Sequence, residues 1–204
     1  MKLVRGWWMP ESDTHFEAYF NAMDTRDYQK ILRETAISRA RNWRWAIDIG
    51  AHVGLWTRPL SEVFQFVEAF EPDPNNALMF MRNTLSNTKL HTVALGGTEG
   101  EAKLVTPKDN TGMAHLVGGK GVPIRTLDSY NFNSVDFIKI DCEGYEYPVV
   151  LGATETLKNN NPVVVVEQKP HPYEWEVNAA KDYLETLGYE VVGNVNHDWI
   201  MRKP

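Results

Sequence analysis

The chain has little cysteine, no long apolar run and no excess of positive charge, and each shortage excludes something. A single cysteine, Cys142, among 204 residues rules out a disulfide within the chain and suits a reducing compartment. No segment approaches the roughly 20 apolar residues of a membrane-spanning helix. Met1 to Gly6 also lacks the apolar core of a signal peptide. A cytoplasmic protein with no membrane partner is therefore expected. With 21 Lys and Arg against 27 Asp and Glu, the net charge is −6, which argues against nonspecific nucleic-acid binding. The local basic group Arg39, Arg41 and Arg44 reads as the solvated end of a helix. No internal repeat or low-complexity stretch interrupts the chain, and its length suits one domain with a full core.

Glycine is also short at one revealing place. In Trp45-Ala46-Ile47-Asp48-Ile49-Gly50-Ala51-His52-Val53-Gly54 an apolar strand runs into a small-residue turn and then a helical pattern. That order is how a doubly wound sheet makes a nucleotide cradle. A dinucleotide fingerprint carries three glycines around a pyrophosphate; here Asp48 occupies the first of those positions. A carboxylate there repels phosphate and suits a cation or a set of hydroxyl and amine donors. The turn reads as a site for a nucleoside-like ligand without phosphates, and S-adenosylmethionine is the candidate. Asp48, Gly50, His52 and Gly54 are its candidate residues, with His52 placed to meet a ligand carboxylate or to cap the turn.

From residue 45 onward strands alternate with helices. Strands are expected at 45–49, 66–71, 89–95, 135–141, 162–167, 188–194 and 197–202, and helices at 53–63, 73–86, 145–159 and 172–187. The pattern implies a parallel sheet with helices on both faces. The few residues between the last two strands force those two to be antiparallel. The expected fold is thus α/β, a Rossmann-like seven-stranded sheet of the class I methyltransferase outline with an antiparallel last strand. Residues 96–126 break the rhythm with short strands at 101–105, 112–117 and 121–126, read as a β-hairpin insertion between strands three and four. Residues 1–44 read as a helical extension (13–22 and 26–40) with a cap at Ser12 or Asp13. It is too short to own a core but could form part of a lid over the domain 45–204.

Glu71 ends the second strand, 21 residues after Gly50, where an acid accepts both hydroxyls of a ribose. Ala94 and Leu95 end the third strand and could line an adenine, although core packing explains them equally well. At the end of the fourth strand, Ile138-Lys139-Ile140-Asp141-Cys142-Glu143-Gly144-Tyr145-Glu146 clusters carboxylates where open α/β sheets hold ligands. Glu167 closes the fifth strand toward the same crevice, and His171 follows. Asp141, Glu143, Glu167 or His171 could take the proton of a hydroxyl nucleophile. Two or three of these acids could instead hold a hard divalent cation, the less favoured reading. Cys142 reads as a small buried hydrophobe.

Together, Asp48-Ile49-Gly50-Ala51-His52-Val53-Gly54, Phe70-Glu71-Pro72, Val93-Ala94-Leu95-Gly96, Thr126-Leu127-Asp128 and the Ile138–Glu146 stretch resemble the FkbM family of S-adenosylmethionine-dependent methyltransferases. The resemblance spans about residues 45–170. It implies a class I fold and methylation of a hydroxyl on a sugar or natural-product scaffold, with Asp48, Gly50, Gly54 and Glu71 at the cofactor. The family pattern has Asn where His52 stands; an imidazole replaces some amide hydrogen bonds but not both donor and acceptor geometries.

The expected function is therefore O-methylation of a sugar or other small-molecule or glycan acceptor. A non-catalytic methyltransferase-like binding protein and a NAD-dependent oxidoreductase are the alternatives. The missing third glycine and the absence of a basic residue in the turn count against the oxidoreductase. Acceptor specificity is expected in residues 1–44, in 96–126 and in the loop that holds Tyr173 and Trp175.

Overall fold

The computed structural model describes residues 1–25, 27–170, 176–196 and 198–204. A short hairpin, β1 (Lys2–Val4) and β2 (Trp7–Met9), turns at Arg5 and Gly6, both at positive φ, and leads to α1 (His15–Ala22) and α2 (Lys30–Ile37). The chain continues through β3 (Trp45–Ile49), α3 (Thr57–Ser61), β4 (Phe66–Phe70), α4 (Pro74–Asn83), β5 (Thr88–His91), β6 (Ala94–Leu95), β7 (Gly100–Val105) and β8 (His115–Arg125). It ends with β9 (Val135–Ile140), α5 (Glu146–Leu151), α6 (Thr154–Asn160), β10 (Val163–Glu167), α7 (Ala179–Thr186), β11 (Glu190–Val195) and β12 (Asp198–Arg202).

The central sheet is mixed and mostly parallel, in the order β11-β12-β10-β9-β3-β4-β5. The five strands from β10 to β5 are parallel, while β12 runs antiparallel to both of its neighbours. The two-residue period of a strand explains why helices cover both faces. Ile47, Ile49, Ile138, Ile140, Val164 and Val166 face one way, onto Val149, Leu157 and Leu184 of α5, α6 and α7. Ala46, Phe137, Val163 and Val165 face the other, onto Leu32 and Leu60 of α2 and α3. Asp48 and Lys139 fall on this second face as directly paired residues of β3 and β9. Asp73 caps α4, accepting the N–H groups of Asn75 and Asn76 with Pro74 in the first turn.

Several expectations need correction. The strand expected at 89–95 divides: β5 stays in the central sheet, whereas β6 leaves it to pair with Ile124 and Arg125. The insertion is accordingly a separate three-stranded sheet, order β6-β8-β7, and not a hairpin alone. The short strands expected at 112–117 and 121–126 join as the continuous strand β8, whose residues 118–121, with Gly118 and Gly119, bulge between the pairs Lys103–Val117 and Ala102–Val122. Gly119, at φ +147°, leaves no room for a side chain, since a Cβ would come within 2.9 Å of Lys103 Cβ. The helix expected at 53–63 starts late, because Gly50, His52 and Gly54 all take positive φ. The helix expected at 145–159 breaks at Gly152, where a Cβ would stand 2.0 Å from the Gly96 carbonyl oxygen. Of the stretch expected as helix at 172–187, α7 is helical, and residues 171–175 lie outside the described residues.

The β1–β2 hairpin is the one addition to the N-terminal extension. Val4, Trp7, Met9, Phe16 and Phe20 pack on Val53, Leu55 and Met79, next to the glycine turn. Asn83 clips this layer in place: it accepts from Trp8 N–H at 2.8 Å and donates to the carbonyls of Trp8 (2.9 Å) and Val53 (2.8 Å). Three buried or half-buried hydrogen bonds at about 1 kcal/mol each set the expected cost of Asn83→Ala at about 2–3 kcal/mol, read by urea unfolding. Limited proteolysis should then cut first within residues 1–25. An unchanged stability and cleavage pattern would show that the clip is not what holds the extension.

Candidate active site

The carboxyl ends of β3, β4, β9 and β10 open into two adjoining hollows. The first, of about 550 Å³, is lined by Gly50, Glu71, Ala94, Leu95, Leu116 and Tyr145, among others. The second lies beneath α1 and is lined by Phe16, Tyr28, Trp56, Lys139 and Lys169. Gly50, His52, Gly112, Asp141 and Glu143 border both.

The turn is built by backbone geometry that glycine alone permits at Gly50. Its φ is +76°, and a Cβ would stand 1.8 Å from the carbonyl oxygen of Asp141. The N–H groups of Gly50 and Ala51 both donate to Phe70 O at 3.0 Å. Glu71 fastens the turn to β4: Oε2 accepts from His52 N–H at 2.9 Å and Oε1 from Asp73 N–H at 2.8 Å. The Asn76 side chain is a further hydrogen-bond partner, and of the four lone-pair sites of the carboxylate at least one stays for a ligand donor. Burial pushes the Glu71 carboxyl up to about 7. Gly54 lines neither hollow; at φ +92° it lets the chain pass Thr84, 2.7 Å from where a Cβ would sit.

Asp48 also lines neither hollow. It lies fully buried under the turn, with Oδ2 accepting from Thr57 O–H at 2.6 Å and Oδ1 3.8 Å from the Lys139 ammonium. Burial raises its carboxyl, with Lys139 opposing. Lys139 is the largest omission of the sequence reading. Its Nζ donates to Gly50 O at 3.2 Å, stands 3.3 Å from Asp141 Oδ2 and lies 5.9 Å from the centre of the Trp56 ring. The signal was present, since a lysine within an apolar strand must find anions to be buried at all.

Asp141, Glu143 and Glu167 are brought together, with one carboxylate oxygen of each within 4.8 Å of the others. Burial alone would raise Asp141, but Lys139 and then Lys169 hold it below the usual carboxylate range. Burial and the Asp141 charge push Glu143 up to about 7 and Glu167 up to about 9, against the opposing effect of the Lys169 ammonium beside Glu167. The group thus keeps its charge on Asp141 and a proton on Glu167 near neutrality. Asp198, opposite Glu167 on β12, is a further acid that the sequence reading missed, raised to about 7 by burial and by Asp141.

Glu146 shapes the loop, accepting from the N–H groups of Cys142 (2.8 Å) and Gly144 (3.1 Å). Burial raises the Cys142 thiol well above its ordinary range, so it stays a thiol and not a nucleophile. His171, Tyr173 and Trp175 lie outside the described residues. Thr111 and Gly112 of the insertion, and Phe16 and Tyr28 of the extension, complete the walls. Nothing in local spacing marks them, because long-range packing brings them in.

The acids set a pH dependence of stability. A carboxyl whose folded pKa is raised binds its proton more tightly in the folded state. Its contribution is fully present below the unfolded pKa of about 4.3 and is lost as pH rises through the folded value. For Glu167 that window reaches to about 9. The melting temperature should therefore fall between pH 5 and 9, and the fall should be smaller in Glu167→Gln. Parallel profiles for the two proteins would refute the raised Glu167.

Known proteins give this geometry a family. The model of the methyltransferase FkbM domain matches residues 48–191. No curated protein sequence matches the chain. Among solved structures, methyltransferase FkbM from Methylobacillus flagellatus KT is similar at 20% identity and a TM-score of 0.53, over 78% of this chain and 43% of its own. This chain spans less than half of that relative's length. An rRNA methylase from Streptococcus thermophilus is similar at 12% identity and a TM-score of 0.56, over 88% of this chain and 96% of its own. A Streptococcus mutans protein solved with SAH is similar at 10% identity and a TM-score of 0.53, over 88% and 99%. Such identities show the fold, α/β with a central, mostly parallel sheet like that of methyltransferases. A relative named for rRNA also removes support for the expected exclusion of nucleic acid. No helix among the described residues is long and apolar enough to cross a membrane. With the family model matched over well more than half of its length, the chain belongs to the FkbM methyltransferase family.

Proposed function

We propose that the protein is an S-adenosylmethionine-dependent O-methyltransferase acting on a hydroxyl of a sugar or other small-molecule or glycan acceptor. The observation that carries this reading is the shared wall of the two hollows. Gly50 of the cofactor turn and the acids Asp141 and Glu143 border both, so a ligand in the turn meets a proton acceptor. The residues present suit the cofactor. Gly50 leaves a cradle that a Cβ would fill, Glu71 offers a spare lone pair to a ribose hydroxyl, and Ala94 and Leu95 give a small apolar wall for a base. No basic side chain stands in the turn for a pyrophosphate.

When bound, S-adenosylmethionine supplies a methyl group on a sulfonium for in-line displacement. The chain's own part is to position and to take a proton. Asp141, held ionised by Lys139, accepts the proton of the acceptor hydroxyl. Glu143, raised to about 7, is the second candidate for that role, and Glu167 keeps a proton beside them. The two lysines already neutralise much of the acid cluster, so a divalent cation stays the less favoured way to balance it. Residues 1–44 act as a lid over the domain 45–204, since Phe16 and Tyr28 roof the second hollow.

Calorimetric titration with S-adenosylmethionine, S-adenosylhomocysteine and NAD tests the cofactor. The first two should bind and NAD should not, and Glu71→Ala should weaken binding by about tenfold or more, the loss of hydrogen bonds to a charged group. Asp141→Asn should retain cofactor binding yet lower methyl transfer to a responsive sugar or polyol by about a hundredfold or more, the usual share of a general base. Absence of binding by both sulfur nucleosides would sink the reading.

A further inference from the structure

The hydrogen bonds around His52 join three parts of the chain that are far apart in sequence. Asp13, from the N-terminal extension, is fully buried, and its Oδ1 accepts from Phe16 N–H at 3.0 Å. Its Oδ2 accepts both the N–H (2.9 Å) and the O–H (2.7 Å) of Thr111, a buried residue of the insertion. Thr111 Oγ1 stands 2.8 Å from His52 Nε2. A hydroxyl has one proton, and a carboxylate that receives two backbone N–H groups acts as an acceptor. The Thr111 proton therefore goes to Asp13, and the hydrogen between Thr111 and His52 has to come from Nε2.

The other ring nitrogen then follows. Burial lowers the His52 pKa to about 4, so the ring carries one proton near neutrality. With that proton on Nε2, Nδ1 is a bare acceptor, and it is buried without a hydrogen-bond partner among the described residues. The ring is 8% exposed and borders both hollows. Phe16 stacks on it at 4.9 Å, and the backbone beneath it is tied to Glu71. A buried, unpaired acceptor in so constrained a ring is costly unless a ligand completes it.

We propose that Asp13 and Thr111 are positioning residues that lock His52 in its neutral Nε2–H form, so that Nδ1 accepts a hydrogen bond from a donor on the ligand held by the turn. The donor is a hydroxyl or an ammonium group. A ligand carboxylate is excluded, because it would set acceptor against acceptor; this reverses one of the two sequence expectations for His52. The inference rests on the cofactor reading above, in which ribose hydroxyls and an α-ammonium are the donors at hand. It also gives the extension and the insertion a task at the cofactor turn: they set which nitrogen of His52 carries the proton.

Long-range ¹H–¹⁵N spectra of labelled full-length protein test the lock, with the signals assigned by His52→Asn. The parent should show His52 with a protonated Nε2, a bare Nδ1 and no titration between pH 5.5 and 8. S-adenosylhomocysteine should move the Nδ1 signal toward that of a hydrogen-bonded nitrogen. Thr111→Val should mix the tautomers and weaken S-adenosylhomocysteine about tenfold, and Thr111→Ser should restore both. In a His52→Asn background, where no tautomer has to be set, Thr111→Val should cost less than threefold. A parent that binds S-adenosylhomocysteine with no change at Nδ1, or a Thr111→Val protein with parental tautomer and affinity, would overturn the proposal. A parent that binds no S-adenosylhomocysteine overturns the cofactor reading and the ligand half of this one, while the tautomer of the free protein still decides the lock.

Discussion

The structure depends on a lysine buried in the middle of its sheet. Lys139 extends from β9 on the face shared with Phe137 and Val165, and burying an ammonium there is prohibitive without compensation. Compensation comes from three directions: the Gly50 carbonyl, Asp141 and the more distant Asp48. Those three belong to the glycine turn, to the end of β9 and to the floor beneath the turn. The cost of burying one cation therefore fixes the relative placement of the loops that follow β3 and β9. The same pairing explains why Asp48 can be buried with one oxygen short of a hydrogen bond among the described residues. As a pair in register on neighbouring parallel strands, the two residues define the polar strip on an otherwise apolar face.

Around that strip the protein keeps features that do not favour stability. Glu71, Glu143, Glu167 and Asp198 all have raised carboxyl pKa values, so each is held in a setting that disfavours its charge. His52 and Glu143 adopt positive φ without being glycine, at a cost of order 1–3 kcal/mol each. Such costs gather at sites whose residues are retained for something other than folding. They are offset by the well-packed apolar layers on both faces of the sheet.

Much of this could be read from the sequence where a single segment carries the information. The glycine turn, the Glu71 strand end and the acid cluster after β9 each rest on residues a few positions apart, and local geometry follows from local order. Reading stopped where pairing partners are distant. No spacing shows that residues 94–95 desert the central sheet for Ile124, or that Gly118 and Gly119 form a bulge within one continuous strand. Lys139 was legible in principle, since its apolar neighbours declared it buried and burial demanded anions. Asp198 was not, because only the antiparallel return of β12 sets it opposite Glu167. Phe16, Tyr28, Thr111 and Asp13 share that fate, each placed by tertiary packing alone.

The family match begins at residue 48, yet the second hollow is roofed by residues that precede it. The core of the fold supplies the turn, the acids and the lysine, all at the carboxyl ends of parallel strands where such sheets hold ligands. That arrangement leaves the crevice open above the strand ends. Closure comes from a hairpin and helix clipped to α4 by Asn83 and from an insertion whose Asp109 carbonyl receives the N–H groups of Thr14 and His15. Extension and insertion thus brace one another directly across the top of the site. A change in either shifts the wall that faces the ligand, whereas the strip beneath stays fixed by the pairing of Lys139. Under the proposed function, chemistry and selectivity are in this way held by different parts of the chain, with the turn at His52 as the place where they touch.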